Sequence, residues 1–598
     1  MFRICYILNF VLVVFANTNL FSQQKPIYIL DMVHNNPGEE LTHSRFNDPN
    51  YLKQCGYTGI VFNDFIFPSA AITFKTLNPD IFPLGSKEAK WVENAAACIK
   101  NNILKAHRAG IKAYYFMDMI VLPKKLVKLY HAEICDAEGK ISMERPKTVE
   151  IHRILLDELF ETFPDLDGLV IRTGETYTQN VPYHTGNNPI TQGVTSHIHL
   201  LQLLRAEVCV KRNKKIFYRT WSFGGMHDDT DYYLKVTSQV EPHPNLIFSI
   251  KHTKGDFQRT NDFNPTLTLG KHQQIVEVQC QREYEGKGAY PNYIMKGIID
   301  GFEEYSHNKP QPHFACLKDI KGNENIAGIL SWSRGGGWAG PYISNEFWCK
   351  LNAWVLSNWV ANTGQTETQV FNRFMDENGI KGKNKKIFRA IALYSSRAVI
   401  TGHASLKLPF DSNMVYWMRD EFLSGIDSAA EAGSKFPSEG FLYAYFQKLD
   451  RQHLLETAVK EKYESVAIWR KIAALAQKLN MPGKADLDFI RVSSSYGLLL
   501  HQIIAEGWHI MEMGFKGDKT GKYDYEAIHF SIKKYDRYWK LYRNLTLDHA
   551  VCPSLYKPYA FVFQAPSYHL GKGMDYSVNK YRHIVQVYRT DTIGKQSN

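Results

Sequence analysis

From residue 26 to about residue 340, short apolar runs rich in β-branched and aromatic residues alternate with longer segments of helical period. That is the pattern of repeated βα units. The runs are PIYILDMV (26–33), GYTGIVFND (56–64), GIKAYYFMDM (110–119), LDGLVIRTGE (166–175), KIFYRTWSF (215–223), NLIFSIKHTKGD (245–256), QIVEVQCQREY (274–284) and IAGILSWSRGG (326–336). Eight such runs fit a closed parallel barrel better than an open sheet. Helical segments fill several gaps: AAACIKNNILKAHRAG before the third run, KTVEIHRILLDELFETF before the fourth and NYIMKGIIDGFEEY after the seventh.

Beyond about residue 345 the strand pattern fades and long helical periods take over, which predicts a second, all-helical domain. Leu455, Val459, Tyr463, Val466, Trp469 and Ala473 fall at steps of three or four and form one apolar stripe. Further helices are predicted from Tyr496 to about Met513 and over YEAIHFSIKKYDRYWKLYRN. Core packing is the simplest use of these stripes; a homodimer contact through the helical domain is the alternative. The expected fold class is therefore α/β, a (β/α)8 TIM barrel over residues 23–344 followed by a helical C-terminal domain over 345–598.

Residues 1–22 read as a secretory signal peptide. Arg3 precedes an apolar run from Ile4 to Phe15 that is too short to span a bilayer comfortably. Cleavage near Ser22 would leave a periplasmic or secreted protein, and Cys5 lacks the small-residue context of a lipid anchor, so no membrane anchor is expected. The eight remaining cysteines, Cys55, Cys98, Cys135, Cys209, Cys280, Cys316, Cys349 and Cys552, are scattered without a C-x-x-C pair. They read as buried thiols, with one or two disulfides allowed by an oxidising compartment and no pairing implied by spacing. The formal charge of +11 favours an anionic partner or marks an ordinary basic surface. Lysines and arginines form no basic block, which argues against nucleic acid; an acidic oligosaccharide fits the balance.

In such a barrel the polar residues that end the apolar runs line the active site. They are Asn63 and Asp64 on the second run, Asp118 on the third, Arg172 and Glu175 on the fourth, and Arg219 and Trp221 on the fifth. Lys251 and Asp256 end the sixth, Glu283 the seventh, and Arg334 with Trp338 follows the eighth. Carboxylates interleaved with cations and flanked by tryptophans suit carbohydrate chemistry, with carboxyls for acid and base work and aromatic faces for sugar rings. Arg172, Arg219 and Lys251 cannot do proton work near neutral pH unless strongly perturbed, so their better use is to bind a substrate carboxylate. The alternative is an internal ion network in which these cations pair with the same acids. Any one strand-end carboxylate is as readily a structural salt-bridge partner.

At these residues the chain resembles the family 67 α-glucuronidases of the glycoside hydrolases. The likeness rests on NLIFSIKHTKGDFQ, IVEVQCQREYEGKGAYPNYI, LDGLVIRTGET and FYRTW, and continues into NEFWCKLNAWVLSNWVAN and YSSRAVITG. It implies Glu175 as proton donor, Asp256 and Glu283 as the base-side carboxylates, and Arg219, Lys251 and Arg172 as groups that hold a uronate. It also implies inversion at the anomeric carbon. Two intervals are one residue shorter than in that family, and the β-rich domain that usually precedes its barrel is missing here. The expected activity is removal of an α-linked glucuronic or related uronic acid from oligosaccharides. The alternatives are another exo-glycosidase acting on a sulfated or other acidic sugar, and a non-catalytic carbohydrate-binding protein on a disabled barrel.

Asn63, Asp118 and Trp338 complete the expected substrate-binding set, Trp338 as a sugar platform in RGGGWAG. Trp221 and Trp332 are as readily barrel core. No cofactor and no metal are expected. The glycines at 335–337 lack a following G-K-[ST], and His131 with Glu133 lacks the P-C-x-x-C of a zinc deaminase. The HIH at 197–199 falls in a helical segment, and no G-x-S-x-G is present.

Overall fold

The computed structural model describes residues 27–596 apart from 39, 222–224, 307–313, 337–343, 414–440 and 549–573. The expected signal segment, Trp338 and Cys552 lie outside the described residues.

Each of the eight apolar runs forms a strand. They are β1 (Tyr28–His34), β2 (Gly59–Phe62), β3 (Lys112–Asp118), β4 (Gly168–Arg172), β5 (Lys215–Arg219), β6 (Leu246–Lys251), β7 (Gln273–Gln279) and β8 (Ile326–Gly335). Every neighbour is parallel and consecutive, and β1 pairs with β8 to close the ring. Both strand faces are buried, one inside the barrel and one under helices, so the strands read as near-continuous apolar runs. Inside, the rings of Tyr28 and Tyr114 meet Phe217 edge-on at 5.3 and 5.1 Å. Gly59 leaves room for this layer, because a Cβ there would stand 2.8 Å from Leu30 and 2.9 Å from Tyr114.

Two expectations about extent are corrected. The fourth, sixth and seventh runs are expected to reach Glu175, Asp256 and Glu283, but the ladders end at Arg172, Lys251 and Gln279. Positive φ at Gly174 and Arg282 turns the chain out of the sheet, so those acids stand on the loops beyond. The helix expected after β7 is short, Met295–Asp300, and ends at Gly301 with φ +104. No helix joins β6 to β7; residues 252–272 form a loop that carries Asp256.

A helical region follows, with helices Phe347–Ala361, Glu367–Glu377, Lys383–His403, Phe441–Arg451, Leu455–Lys478, Lys484–Thr520, Tyr525–Asp548 and Met574–Gln596. In the Leu455 helix, Leu455, Val459, Val466 and Trp469 are buried, but Tyr463 is 36% exposed. The buried face drifts toward Ala458, Ser465 and Ile472 instead. Trp469 lies against Gly497, where a Cβ would come within 2.6 Å of the indole. The helices share one core with the barrel and are tied to it by hydrogen bonds. Tyr57 donates its hydroxyl to Ala353 O (3.2 Å), and Asn352 donates its amide to Cys280 O (3.1 Å) and Asn292 O (2.9 Å). The seven described cysteines are free thiols. Cys98 is exposed, against the expectation of burial, because it sits on the outer face of the helix Lys87–Arg108. No helix among the described residues is long and apolar enough to cross a membrane.

A bulge at Ser333 marks the β1–β8 seam, where Met32 pairs with Trp332 and Val33 with Arg334. The extra residue turns Arg334 away from the barrel interior and onto Glu346 at 3.1 Å, so Arg334 is not part of the mouth as expected. Asp31, fully buried on β1, accepts bonds from the Ser333 amide (3.1 Å), the Ser333 hydroxyl (2.6 Å) and the Ser331 hydroxyl. Burial pushes its carboxyl up to about 7, against the lowering effect of these donors. The folded chain thus holds this proton more tightly than the unfolded chain. The resulting stability is complete below about pH 4 and lost as pH rises through about 7. Urea unfolding at several pH values should show the wild type losing stability over this window relative to Asp31→Asn. Parallel pH curves for the two proteins would contradict this account.

Candidate active site

The interior position at the carboxyl end of each strand is polar or aromatic, and charge divides these positions into two arcs. Four adjacent strands, β3 to β6, carry Asp118, Arg172, Arg219 and Lys251. Arg172 donates Nε to Asp118 Oδ1 at 2.7 Å and Nη2 to Oδ2 at 2.6 Å, and the Tyr177 amide also donates to Oδ2 at 3.1 Å. Burial opposes the Arg172 charge, but Asp118 and then Glu175 hold its pKa above the ordinary value. The guanidinium also lies over Tyr177, Phe116 and Phe65. Asp118, expected as a substrate-binding group, is thereby occupied inside the fold.

Arg219 makes the same two-pronged contact with a residue that strand-end reasoning missed. Its Nε and Nη2 donate to Glu277 at 2.8 and 2.9 Å, and Ser249 Oγ donates to the same carboxylate at 2.8 Å. The clue was present in IVEVQ, since an acid inside a buried run needs a cation beside it. Lys251 donates to Asp256 Oδ1 at 2.5 Å and stands 3.6 Å from the centre of the Trp221 ring. Tyr284 donates its hydroxyl to the other Asp256 oxygen. Desolvation would raise the Asp256 carboxyl, but Lys251 and Tyr284 together hold it below its ordinary value. Asp256 is therefore a carboxylate at any pH near neutrality.

Glu175 and Glu283 lie on opposite sides of the mouth. Glu175, 28% exposed, follows β4 and approaches Arg172 Nη1 at 3.5 Å. Glu283 follows β7, and its amide donates to Gln279 Oε1 at 2.8 Å. Its carboxylate lies against Gly336 at the end of β8, where a Cβ would come within 2.8 Å of Oε2. In the ring order β8 is four strands from β4 in either direction, so the loop after β4 and the end of β8 that hold these two acids lie on opposite sides of the ring. Glu283 and Tyr284 are adjacent in the chain, so Asp256 is drawn to the Glu283 side.

The other arc, β7, β8, β1 and β2, ends on uncharged interior side chains, one interior position beyond Glu277 on β7. It presents Gln279, Trp332, His34 and Asn63, of which only Asn63 was singled out from sequence as a ligand group. His34 stacks on Trp332 with centroids 4.3 Å apart and planes 10° apart. Desolvation, reinforced by Arg219, Arg172 and Lys251, holds the imidazole well below its ordinary pKa, so it is neutral. Asn63 is buried and donates from neither amide hydrogen, though Asn35 donates to its backbone carbonyl at 2.7 Å. Among the described residues no group of three or more His, Cys, Asp or Glu side chains is placed to hold a metal ion.

No protein-family model matches the chain, and no curated protein matches it in sequence. Similar folds are found among solved structures. A GH138 enzyme targeting pectin rhamnogalacturonan II superposes with a TM-score of 0.56 at 12% identity, over 96% of this chain and 85% of that one. A mutant of the Thermobaculum terrenum O-GlcNAc hydrolase gives a TM-score of 0.38 at 9% identity, over 93% and 94% of the two chains. The first likeness supports the barrel with its helical C-terminal region as one fold.

Glu277 is expected to be the structural keystone of the charged arc. Glu277→Ala leaves Arg219 buried without a counter-charge and should cost about 3–5 kcal/mol of stability, read by chemical denaturation. A loss below about 1 kcal/mol, the range of an exposed pair, would show that Arg219 finds another partner or reaches water.

Proposed function

We propose that the chain is a glycoside hydrolase that removes a uronic acid from an acidic oligosaccharide with inversion, Glu175 acting as the acid. The observation that carries this reading is that Glu175 follows β4 while Glu283 lies against the end of β8, on the opposite side of the ring, with the ionised Asp256 bonded to Tyr284 beside Glu283. Hydrolysis of a glycosidic bond needs one carboxyl to protonate the departing oxygen and a carboxylate on the far side to activate water. Glu175 is the more exposed of the three, as a group that must meet a leaving oxygen has to be. Its neighbour Arg172 spends Nε and Nη2 on Asp118 and approaches Glu175 with Nη1 alone.

On the far side Asp256 and Glu283 share the work. Lys251 and Tyr284 occupy both oxygens of Asp256 and fix it as a negative charge that can orient water and offset positive charge growing on the sugar ring. Glu283 is the partner that accepts the proton of the attacking water.

The uronic-acid part of the proposal rests on the three cations gathered under the mouth, all close enough to His34 to act on its charge. Arg219 spends Nε and Nη2 on Glu277, which leaves Nη1 for a ligand oxygen. The resemblance to the α-glucuronidases points the same way, and the similar GH138 enzyme targets pectin rhamnogalacturonan II. The N-terminal segment supports export to the periplasm or beyond.

Two measurements test this mechanism. Glu175→Gln, Asp256→Asn and Glu283→Gln should each lower kcat by about 10²–10⁴-fold, with melting temperatures unchanged in the two glutamate variants and lowered in Asp256→Asn, which removes the counter-charge of the buried Lys251. Proton NMR of the first product should show the anomer opposite to that of the substrate; a retained anomer, or a Glu175→Gln enzyme of normal rate, would contradict the assignment. Tyr284→Phe removes one of the donors that lower Asp256, so its carboxyl rises and protonates sooner on acidification. The acid limb of kcat/KM should therefore move to higher pH, and an unmoved limb would exclude Asp256 as the group behind it.

A further inference from the structure

The neutral arc holds a set of buried polar atoms that the fold itself leaves unused. Gln279 Nε2, Trp332 Nε1, His34 Nδ1 and both amide atoms of Asn63 have no hydrogen-bond partner. Asn63, Gln279 and Trp332 are more than nine-tenths buried. Buried polar atoms are almost always paired, so orphans on four adjacent strands at one end of the barrel call for a common explanation. They belong to interior positions of β7, β8 and β1 and to the residue after β2, and they converge on the opening that the carboxylates flank.

Their chemistry restricts what can satisfy them. The indole nitrogen and the Gln279 amide nitrogen only donate, whereas Asn63 Oδ1 only accepts. A carboxylate offers acceptors alone and leaves Asn63 Oδ1 orphaned; an ammonium group offers donors alone and leaves Trp332 and Gln279 orphaned. A sugar hydroxyl both donates and accepts, and several adjacent hydroxyls on one ring match the mixed set.

We infer that the neutral arc formed by Gln279, Trp332, His34 and Asn63 reads the ring hydroxyls of the sugar whose carboxylate faces Arg172, Arg219 and Lys251. This rests on the uronic-acid reading and adds to it an orientation: the charged edge of the ring lies toward β4–β6 and its hydroxyl edge toward β7, β8, β1 and β2. Charge and hydroxyl configuration are then recognised on separate strands.

The test is calorimetric titration of the full chain with D-glucuronate, D-galacturonate and their neutral counterparts D-glucose and D-galactose. Wild type, Asn63→Ala and Gln279→Ala are compared, with melting curves to show that both variants fold. The wild type should bind one acid and, more weakly, its neutral counterpart. Each variant should weaken both ligands by the same factor, about 5- to 20-fold, and keep the preference for the acid. Variants that bind as the wild type does, or that weaken the acid alone, would overturn the inference while leaving the uronic-acid reading in place. A wild type that prefers the neutral sugars over both acids overturns the uronic-acid reading instead, and the proposed orientation with it.

Discussion

Charge balance inside a closed barrel is the constraint on which the rest of the mouth depends. A cation sealed among aromatic side chains is stable only beside a carboxylate. Arg172 with Asp118, Arg219 with Glu277 and Lys251 with Asp256 each meet that requirement at hydrogen-bond distance. Two of these pairs are two-pronged, which fixes the side chains in angle as well as position. The third is different: Lys251 reaches from the end of β6 to Asp256 on the following loop and ties that loop to its own strand. One ion pair thus holds a loop in place and keeps its acid ionised.

The loop after β7 is held by a second device. Residues 280–295 are buried throughout, an unusual state for a connection, because the helical region packs over them. Asn352 binds backbone carbonyls at both ends of the loop, and Tyr290 shares a 2.6 Å hydrogen bond with His403. Glu285 grips Arg282 within the loop and Asn292 at its end. The helical region therefore does more than follow the barrel: it clamps the segment that presents Glu283 and Tyr284 to the mouth.

Much of this was legible in the sequence. The eight runs became eight strands in order, because a strand buried on both faces needs an uninterrupted apolar stretch that few other elements require. The limits of the runs were less legible, since Glu175, Asp256 and Glu283 lie past the last ladder bond, where turns at Gly174 and Arg282 decide the path. The interest of Arg172, Arg219 and Lys251 was readable as buried charge at strand ends, but not the partners of the two arginines, which come from other strands. Glu277 was hidden inside an apolar run, and His34 looked like an ordinary end to β1. Gln279 and Trp332 gain meaning only from the absence of partners, which no linear pattern displays. The outward turn of Arg334 depends on a single-residue bulge against β1 and could not be read from β8 alone.

The central claim is that carboxylates on opposite sides of this mouth deliver water to the anomeric carbon of a uronic acid. Digestion of aldouronic and pectic oligosaccharides in ¹⁸O-labelled water, followed by mass spectrometry of the products, tests it most directly. The account predicts free uronic acid with one heavy oxygen at C1 and an unlabelled remaining oligosaccharide. Label on the remaining oligosaccharide, or release of neutral sugars alone, would contradict it.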